Sequence, residues 1–316
     1  MSTVSADTID HPPAGAGAPF QKGQTLLRRA LVPLMGGLAT AGPRNRRFDP
    51  DARLLGRIGP LVVRLARSAA ELRAAQALRY AVFFEEMSAR PSPIQRLTKR
   101  DSDPFDRFCD HLLVIDETLP GPDAERIVGT YRLHGPEAAA KARRYYSEDE
   151  FDLAPMLRRH ADRRFLELGR SCVLKPYRSK RTVELLWQGI WAYVVANRID
   201  AMFGCASLEG VDPAALAEPL AFLREHAPPP AEWQVSARSG RAVRLPPNAA
   251  CSDPRRAMTT LPPLLKGYLR LGGFISPEPV IDARFGTTDV LVVLLRERIN
   301  PRYVGHYGES ADRFAA

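Results

Sequence analysis

The stretch RFLELGRSCVLKPYRSKRTVELLWQGIWAYVVANR, residues 164–198, indicates the fold more clearly than any other part of the chain. Its first third, 164–174, is mostly apolar and is followed by Pro176, which predicts a strand that ends there. Its second half, 182–198, repeats apolar residues at helical spacing, which predicts a helix with Thr182 as its N-cap. A strand that leads into a long apolar helix is typical of a sheet covered by helices.

The segments on either side extend this pattern. Further strands are predicted at 61–66, 111–116, 126–134, 201–206 and 288–295, and further helices at 68–87, 212–226 and 261–272. The resulting order, β–α–β–β–β–α–β–α–α–β, combines a meander with crossover helices. It predicts an α/β fold with a mixed sheet between two layers of helices. No GxGxxG or GxxxxGK[ST] sequence is present, which disfavours dinucleotide and P-loop nucleotide binding.

The charge of the chain restricts the classes of partner. The 316 residues carry a net charge of +9. Such an excess favours nucleic acid, anionic lipid or an acidic protein as the partner. No helix-turn-helix, zinc finger or aromatic-basic RNP signature is present and the basic residues are scattered, so we expect no nucleic acid. The four cysteines form no CxxC pair and no histidine stands at zinc spacing, so we expect reduced thiols and no metal.

The two ends of the chain differ from the centre. Residues 1–60 are rich in Gly and Pro and predict a tail, 61–300 predict the folded domain, and 301–316 predict a second tail. The acidic start MSTVSADTID does not resemble a secretory signal, and no run approaches the ~18 apolar residues of a membrane span. A cytoplasmic protein is therefore expected. The short apolar segment 25–38 leaves open a peripheral contact with an anionic inner membrane.

Charged residues interrupt the apolar strand 164–174. Glu167 and Gly169 share one face of a regular strand and Arg170 lies on the other, unless a bulge, easiest at Gly169, changes the alternation. One interpretation is a structural ion pair at a sheet edge. The other is a buried carboxylate at position 167 whose raised pKa suits a general base.

Two further segments concentrate charge. The loop 99–107 alternates acids and bases, which is typical of a solvated loop, and it lacks the spacing of a calcium loop. The segment 177–182 places three cations before a helix N-terminus, where free N–H groups favour an anion such as the phosphate of a phosphopantetheine arm. A basic surface loop is the alternative. The candidate residues of this segment are Tyr177, Arg178, Ser179, Lys180, Arg181 and Thr182.

These residues resemble a known family pattern. The sequence V-x-x-P-x-R before a long helix, with Val173, Pro176 and Arg178, resembles the acyl-donor loop of GCN5-related N-acyltransferases, although Arg181 and Val183 stand where that family has small residues. Four segments also resemble the acyl-homoserine-lactone synthases, which use acyl-carrier protein. The matching residues are Arg79 and Phe83 in LRYAVF, Asp103 and Asp106 in DPFD, Arg132 in GTYRL, and Glu167 and Arg170 in ELGRSCV.

The segment from about 61 to 300 is still more similar to the ornithine acyl-ACP N-acyltransferases of bacterial ornithine-lipid synthesis. ELGRSCVLKPYRSKRTVELLWQGIWAY, KGYLRLGG and FGTTDVLVV carry this likeness. It implies a GNAT-like domain that transfers a 3-hydroxyacyl chain from acyl-carrier protein to the α-amine of L-ornithine. Acyl-ACP would be a co-substrate, with no cofactor. An acyl-homoserine-lactone synthase or another amino-acid N-acyltransferase is the alternative.

The resemblance also suggests roles for the site residues. Glu167 would take a proton from the acceptor amine, directly or through water, with Arg170 beside it. Arg132 or Arg170 would bind the acceptor carboxylate, because a guanidinium suits it bidentately. Asp103 and Asp106 would bind the distal ammonium. Alternatively, these four charges form an ion network that orders the loop.

Overall fold

The computed structural model describes residues 48–246 and 249–299. The segments that form the main strands contain runs of apolar residues, such as HLLVID at 111–116 and VLVVLL at 290–295, as a sheet covered on both faces requires. The strands are β1 (Leu54–Ile58), β2 (Leu61–Leu65), β3 (Asp110–Asp116), β4 (Ile127–His134), β5 (Phe151–Asp152), β6 (Phe165–Val173), β7 (Ala201–Glu209), β8 (Ser236–Ala237), β9 (Phe274–Ile275), β10 (Val280–Asp282) and β11 (Thr287–Leu295).

Helices alternate with these strands. They are α1 (Ala69–Tyr80), α2 (Pro93–Thr98), α3 (Pro136–Ala142), α4 (Ala154–Arg159), α5 (Lys180–Ala196), α6 (Ala217–His226), α7 (Pro254–Thr260) and α8 (Pro263–Arg270). A π-helical turn over Ala81–Glu86 continues α1, and a 3₁₀ turn covers Tyr146–Asp149. No helix within 48–246 and 249–299 has the length and apolar character needed to cross a bilayer.

The sheet is mixed, as expected. Its strand order is β1-β2-β3-β4-β6-β7-β11-β10, with β9 beside β11. The β6–β7 pair is parallel and its other neighbouring pairs are antiparallel. Alternate residues of β3 show that both faces are covered, because Leu112 packs with α5 whereas Leu113 packs with α1. The predicted mixed sheet between helical layers is therefore confirmed.

Helix α5 covers one face closely. Its predicted apolar stripe is buried, and the N-cap is Ser179, whose hydroxyl accepts a hydrogen bond from Thr182 N–H. Thr182 therefore lies in the first turn and is not the cap. A Cβ at Gly189 would lie 2.9 Å from Val63 Cγ2, so the absence of a side chain allows α5 to approach β2.

Strands β6 and β7 separate part of the way along. Their pairing runs from Phe165 opposite Ala201 to Glu167 opposite Phe203. A Cβ on Gly204 would lie only 2.2 Å from the carbonyl oxygen of Leu168, so the strands still approach closely there. No pairing between β6 and β7 follows in the described part of the chain, although both strands continue. We call the space between 168–173 and 204–209 the β6–β7 opening.

A bulge lies in β6 at the opening. Thr130 pairs with Cys172 and Arg132 with Gly169, so β6 contains one residue more than β4. The left-handed residue is Arg170, with φ of 52°, and not Gly169, the position that the sequence favoured. The extra residue turns Arg170 to the face that carries Glu167, which a regular strand would not allow.

The start of the fold differs from the expectation. Strand β1, Leu54–Ile58, pairs antiparallel with β2, although the Gly- and Pro-rich composition of residues 1–60 predicts a tail there. Its Leu54 packs with the cluster around α1, which gives the strand a buried side. The sheet therefore begins before residue 61. The rest of that predicted tail up to residue 47 lies outside the described residues, as do 247–248 and 300–316.

Candidate active site

Glu167 is a buried carboxylate that accepts four hydrogen bonds. Its Oε1 accepts from the backbone N–H and the hydroxyl of Ser147, each at 2.6 Å. Its Oε2 accepts from the backbone N–H of Tyr146 at 2.7 Å and from His134 Nδ1 at 3.0 Å. Burial raises the pKa of Glu167, but the hydrogen bonds from His134 and Ser147 outweigh it, so this pKa lies below its ordinary value. The raised pKa expected from the sequence is wrong.

His134 occupies the same face of β4 as Arg132, two residues away, and its side chain is 1% exposed. Since the ionised carboxylate of Glu167 can only accept, Nδ1 carries the proton and donates it. The ring lies between Phe105, with ring centres 5.5 Å apart, and Tyr145, at 5.2 Å. Its Nε2 is buried and has no hydrogen-bond partner among the described residues.

A buried ion network joins α1, the loop after α2 and the central strands. Arg79 Nε lies 3.0 Å from Asp101 Oδ2, and its Nη2 lies 2.6 Å from Asp106 Oδ2. Arg132 Nη1 reaches Asp103 Oδ2 at 2.5 Å and Asp106 Oδ1 at 3.3 Å. Burial raises the pKa of Asp106, but the Coulomb attraction of Arg79 outweighs it and holds this pKa well below its ordinary value.

Arg170 forms the outer part of this network. Its Nε lies 3.0 Å from Asp101 Oδ2 and its Nη2 lies 3.3 Å from Asp103 Oδ2. The guanidinium also stands over the ring of Tyr146, 4.6 Å from the ring centre. The structure therefore brings together Asp103, Arg170 and the buried pairs around them, which anchor the loop 99–109 to β4 and β6.

Phe83 lies beside this network rather than within it. It belongs to the π-helical turn after α1 and is partly buried. Its ring meets the edge of Phe285, with ring centres 5.6 Å apart, and Phe285 in turn lies beneath the guanidinium of Arg170. Phe83 therefore adds an apolar side chain beside the ion network and does not take part in its charge pairs.

Four residues of the segment 177–182 make contacts that fix the segment on the protein, and the other two are exposed cations. Tyr177 donates to Asp116 Oδ2 at 2.7 Å, and the Thr182 hydroxyl donates to the Tyr177 carbonyl at 2.6 Å. Arg178 pairs with Glu86, at the end of the π-helical turn. With Ser179 as the cap of α5, these four side chains hold the segment in place. Arg178 is also exposed but is held by Glu86, whereas Lys180 is 90% exposed and Arg181 is exposed, so these two are the cations of this segment that a partner meets first.

A second acidic cluster joins β7, β11 and Glu150, the residue that follows the 3₁₀ turn 146–149. Ligand-type atoms of Glu150, Cys205 and Asp289 lie within 4.8 Å of one another, a spacing that suits a cation. Burial and the charge of Asp289 raise the pKa of Glu150 to about 7, and burial raises the pKa of Asp289 to about 6. Acidic groups at this spacing also occur without an ion, and we assign no metal here.

Several site residues were not identified from the sequence. They are Asp101, His134, Tyr146 and Ser147. The alternation of β4 carried a signal for His134, because it stands two residues after Arg132 and so shares its face. Tyr146 and Ser147 carried none, because they lie 21 and 20 residues from Glu167 in sequence, and two of their three hydrogen bonds to it come from backbone N–H groups that almost any residue possesses.

Comparisons with known proteins give a consistent result. The profile described as acetyltransferase (GNAT) domain matches residues 78–188. The chain is 53% identical over 266 residues to L-ornithine N(alpha)-acyltransferase of Brucella abortus (strain 2308), covering 84% of this chain and 94% of that one. It is 51% identical over 290 residues to the protein of the same name from Rhizobium meliloti (strain 1021), covering 90% and 98%.

The chain also aligns with solved structures. FeeM, an N-acyl amino acid synthase from uncultured soil microbes, aligns with a TM-score of 0.43 at 9% identity, over 78% of this chain and 93% of that chain. The profile match identifies the GNAT-like domain. The GNAT-like α/β fold expected from the sequence is confirmed.

Proposed function

Because the chain belongs to the family of the L-ornithine N(alpha)-acyltransferases, it is an N-acyltransferase, and we propose that it transfers a 3-hydroxyacyl chain from acyl-carrier protein to the α-amine of L-ornithine. The product is a lyso-ornithine lipid, at the first step of ornithine-lipid synthesis. The names of the relatives described above support L-ornithine as the acceptor.

The reaction is the aminolysis of a thioester. The amine nitrogen attacks the thioester carbonyl, a C–N bond forms, the C–S bond breaks and the phosphopantetheine thiol leaves. The amine must be neutral, and with a pKa of about 7.7–8.0 only roughly a tenth of an α-amine is neutral at pH 7. A positioned base that removes the proton adds about 10²–10⁴-fold. The thioester is already activated, so acyl-ACP serves as co-substrate and we propose no cofactor.

The β6–β7 opening is the observation that carries this proposal. The facing edges of 168–173 and 204–209 do not pair with each other in the described part of the chain, so they offer backbone N–H and C=O groups, although the Val173 carbonyl accepts from Arg178 Nε at 3.0 Å. An extended chain with amide groups, such as a phosphopantetheine arm, can pair with such edges. Glu167 is the last residue of β6 that pairs with β7. Its carboxylate and His134 therefore stand where the opening begins.

We propose that Lys180 and Arg181 contact the carrier protein. They extend from the first turn of α5, which directly follows the loop after β6, so they lie on the same segment that leads out of the opening. Exposed cations attract an acidic partner, and the attraction weakens as salt screens it. Turnover with acyl-ACP is expected to fall steeply as ionic strength rises. A rate that stays flat would argue against an acidic donor.

We propose that the acceptor contacts the outer part of the ion network. Asp103 and Arg170 lie at its rim, whereas Arg79 and Asp106 have their charges matched inside it. Arg170 offers a guanidinium for a carboxylate and Asp103 offers a carboxylate for an ammonium. The substitution Arg170→Lys keeps the charge but loses the planar fork, and we expect it to raise KM for ornithine about tenfold. An unchanged KM would show that Arg170 does not bind the acceptor and only orders the loop 99–109.

We propose that the enzyme works in the cytoplasm and meets an anionic inner membrane through α2. On this helix the polar side chain of Gln95 is buried, whereas the apolar residues Ile94 and Leu97 are 62% and 81% exposed. The cations Arg96 and Lys99 stand among these apolar side chains, which suits an anionic lipid surface. Ile94→Ser with Leu97→Ser is expected to reduce sedimentation with anionic vesicles.

The matched control for that experiment is Val211→Ser, at an exposed apolar residue elsewhere. It is expected to sediment like the original protein. Equal sedimentation of the α2 variant would exclude α2 as the membrane contact. Weaker use of acyl-ACP by the α2 variant, without a change in sedimentation, would assign this surface to the carrier protein instead.

The reaction itself is tested with purified protein. It is incubated with 3-hydroxyacyl-ACP and, separately, L-ornithine, L-lysine, glycine or S-adenosylmethionine, and the products are weighed by mass spectrometry. We expect N-acylornithine, with the other amines at least tenfold slower. An acyl-homoserine lactone from S-adenosylmethionine, or no product with ornithine, would refute the proposal.

A further inference from the structure

The atoms around Glu167 are arranged in a way that disfavours Glu167 as the direct proton acceptor. Its two oxygens accept four hydrogen bonds, two of them from the backbone of Tyr146 and Ser147. A proton placed on either oxygen would break at least one of these bonds inside a buried site, where an unmet donor costs about 1–3 kcal/mol. The carboxylate is therefore held in its ionised form.

His134 is the neighbouring group with a free lone pair. Since Nδ1 donates to Glu167 Oε2 at 3.0 Å, the proton of the neutral ring is on Nδ1 and the lone pair is on Nε2. This Nε2 has no hydrogen-bond partner among the described residues. Buried polar atoms are nearly always paired in native proteins, so such an acceptor requires an explanation.

On the proposed function, the missing partner is a donor that arrives with the substrate. We propose that His134 Nε2 takes the proton from the attacking α-amine, and that Glu167 is the positioning residue that fixes the ring and its tautomer. The C–N bond forms as the amine attacks, and the proton of the resulting ammonium passes to Nε2. The C–S bond then breaks, and the same proton goes from His134 to the departing thiolate, which leaves as the phosphopantetheine thiol.

The surroundings of the ring suit this role. Phe105 and Tyr145 lie on either side, at 5.5 and 5.2 Å between ring centres, and separate the imidazole from bulk water. Phe105 belongs to the loop that the Asp103–Arg132 ion pair anchors, so an acceptor that contacts Asp103 comes close to the ring edge. The groups facing the imidazole are Glu167 and Tyr145, with Arg132 on the same face of β4.

The substitution His134→Asn tests this assignment. The Asn amide N–H lies near the position of Nδ1 and keeps a donor toward Glu167, while nothing replaces Nε2. We expect kcat to fall 10²–10⁴-fold with KM for ornithine and for acyl-ACP within about threefold, and the acid limb of the kcat–pH profile to disappear. His226→Asn, at an exposed histidine of α6, is the matched control and is expected to keep kcat.

Several outcomes separate the alternatives. If His134→Asn keeps kcat and the pH profile while Glu167→Gln abolishes turnover, Glu167 is the base and our inference is overturned. Should His134→Asn fail to fold, ¹⁵N NMR of the original protein decides, because an imidazole with its proton on Nε2 is incompatible with the proposal. If the unaltered protein acylates no amine from acyl-ACP, the proposed function fails, whatever the variants do.

Discussion

The Glu150–Asp289 pair predicts an unusual dependence of stability on pH. Both carboxyl groups are buried, at 6% and 5% exposure, and the cation beside Glu150 is Arg241 at 3.8 Å, whose own side chain is 43% exposed. Burial, and then the charge of Asp289, raise the pKa of Glu150 from 4.5 to about 7. The folded protein therefore binds a proton more tightly than the unfolded chain does.

The sign and the size of the effect follow from this difference. The stabilisation from protonated Glu150 is fully present below about pH 4.5 and is lost as the pH rises through about 7. At about 1.36 kcal/mol for each pKa unit, the loss amounts to roughly 3 kcal/mol. Glu150→Gln stays neutral at every pH and keeps an oxygen that can accept from Cys205, whose Sγ lies 3.3 Å from Glu150 Oε2. Relative to the original protein, the variant is therefore expected to gain about 3 kcal/mol between pH 4.5 and pH 8.

Urea unfolding, followed by the fluorescence of the buried tryptophans between pH 5 and 8.5, measures this difference. Glu209→Gln, an exposed residue at the end of β7, is the matched control and is expected to show no trend. A difference between Glu150→Gln and the original protein that stays constant with pH would refute the reasoning. The reasoning would also be refuted if the free energy of unfolding of the original protein rose relative to that of the variant as the pH increases.

Three more predictions follow from single contacts. Asp106→Asn leaves Arg79 and its neighbours short of a buried counter-charge and is expected to reduce stability by about 3–5 kcal/mol, measured by thermal unfolding. Gly204→Ala places a methyl group 2.2 Å from the Leu168 carbonyl oxygen and is expected to lower the melting temperature by more than about 5 °C, whereas Gly267→Ala, whose added Cβ lies 4.0 Å from Trp187 Nε1, serves as a comparison. Lys180→Glu, with a side chain 90% exposed, is expected to raise KM for acyl-ACP at low salt without changing the melting temperature, and a KM equal to the original would contradict it.

The sequence predicted the elements that depend on local pattern. The apolar stripe of α5 and the short, mostly apolar segments of β3 and β4 are short-range signals, and the structure has these elements where the pattern places them. The pKa of Glu167 could not be predicted in the same way. It depends on hydrogen bonds from the side chains of His134 and Ser147, which lie 33 and 20 residues away in sequence and reach the carboxylate only once β4 and the 3₁₀ turn are in place.

Arg170 illustrates a second limit. Sequence reasoning favours Gly169 for the left-handed position of a bulge, because glycine adopts it without strain. The chain instead uses Arg170, at a cost of about 1–2 kcal/mol for a residue with a Cβ. Its guanidinium gains two ion pairs, with Asp101 and Asp103, and these contacts lie more than 60 residues away in sequence. Long-range pairing therefore outweighs the local preference.

The extra residue in β6 connects the chemistry with the fold. A regular strand would turn Arg170 toward α5 and away from Asp101 and Asp103, whereas the bulge places it on the face of Glu167. A bulge also bends its strand and increases the local twist, and β6 leaves β7 just before this point. One insertion thus accounts for both the rim of the ion network and the opening beside it. Deletion of Ser171 is therefore expected to remove both the ion pairs of Arg170 and the use of acyl-ACP. Neither the ion network nor the opening depends on the side chains of the other, but both depend on the bend that the bulge produces.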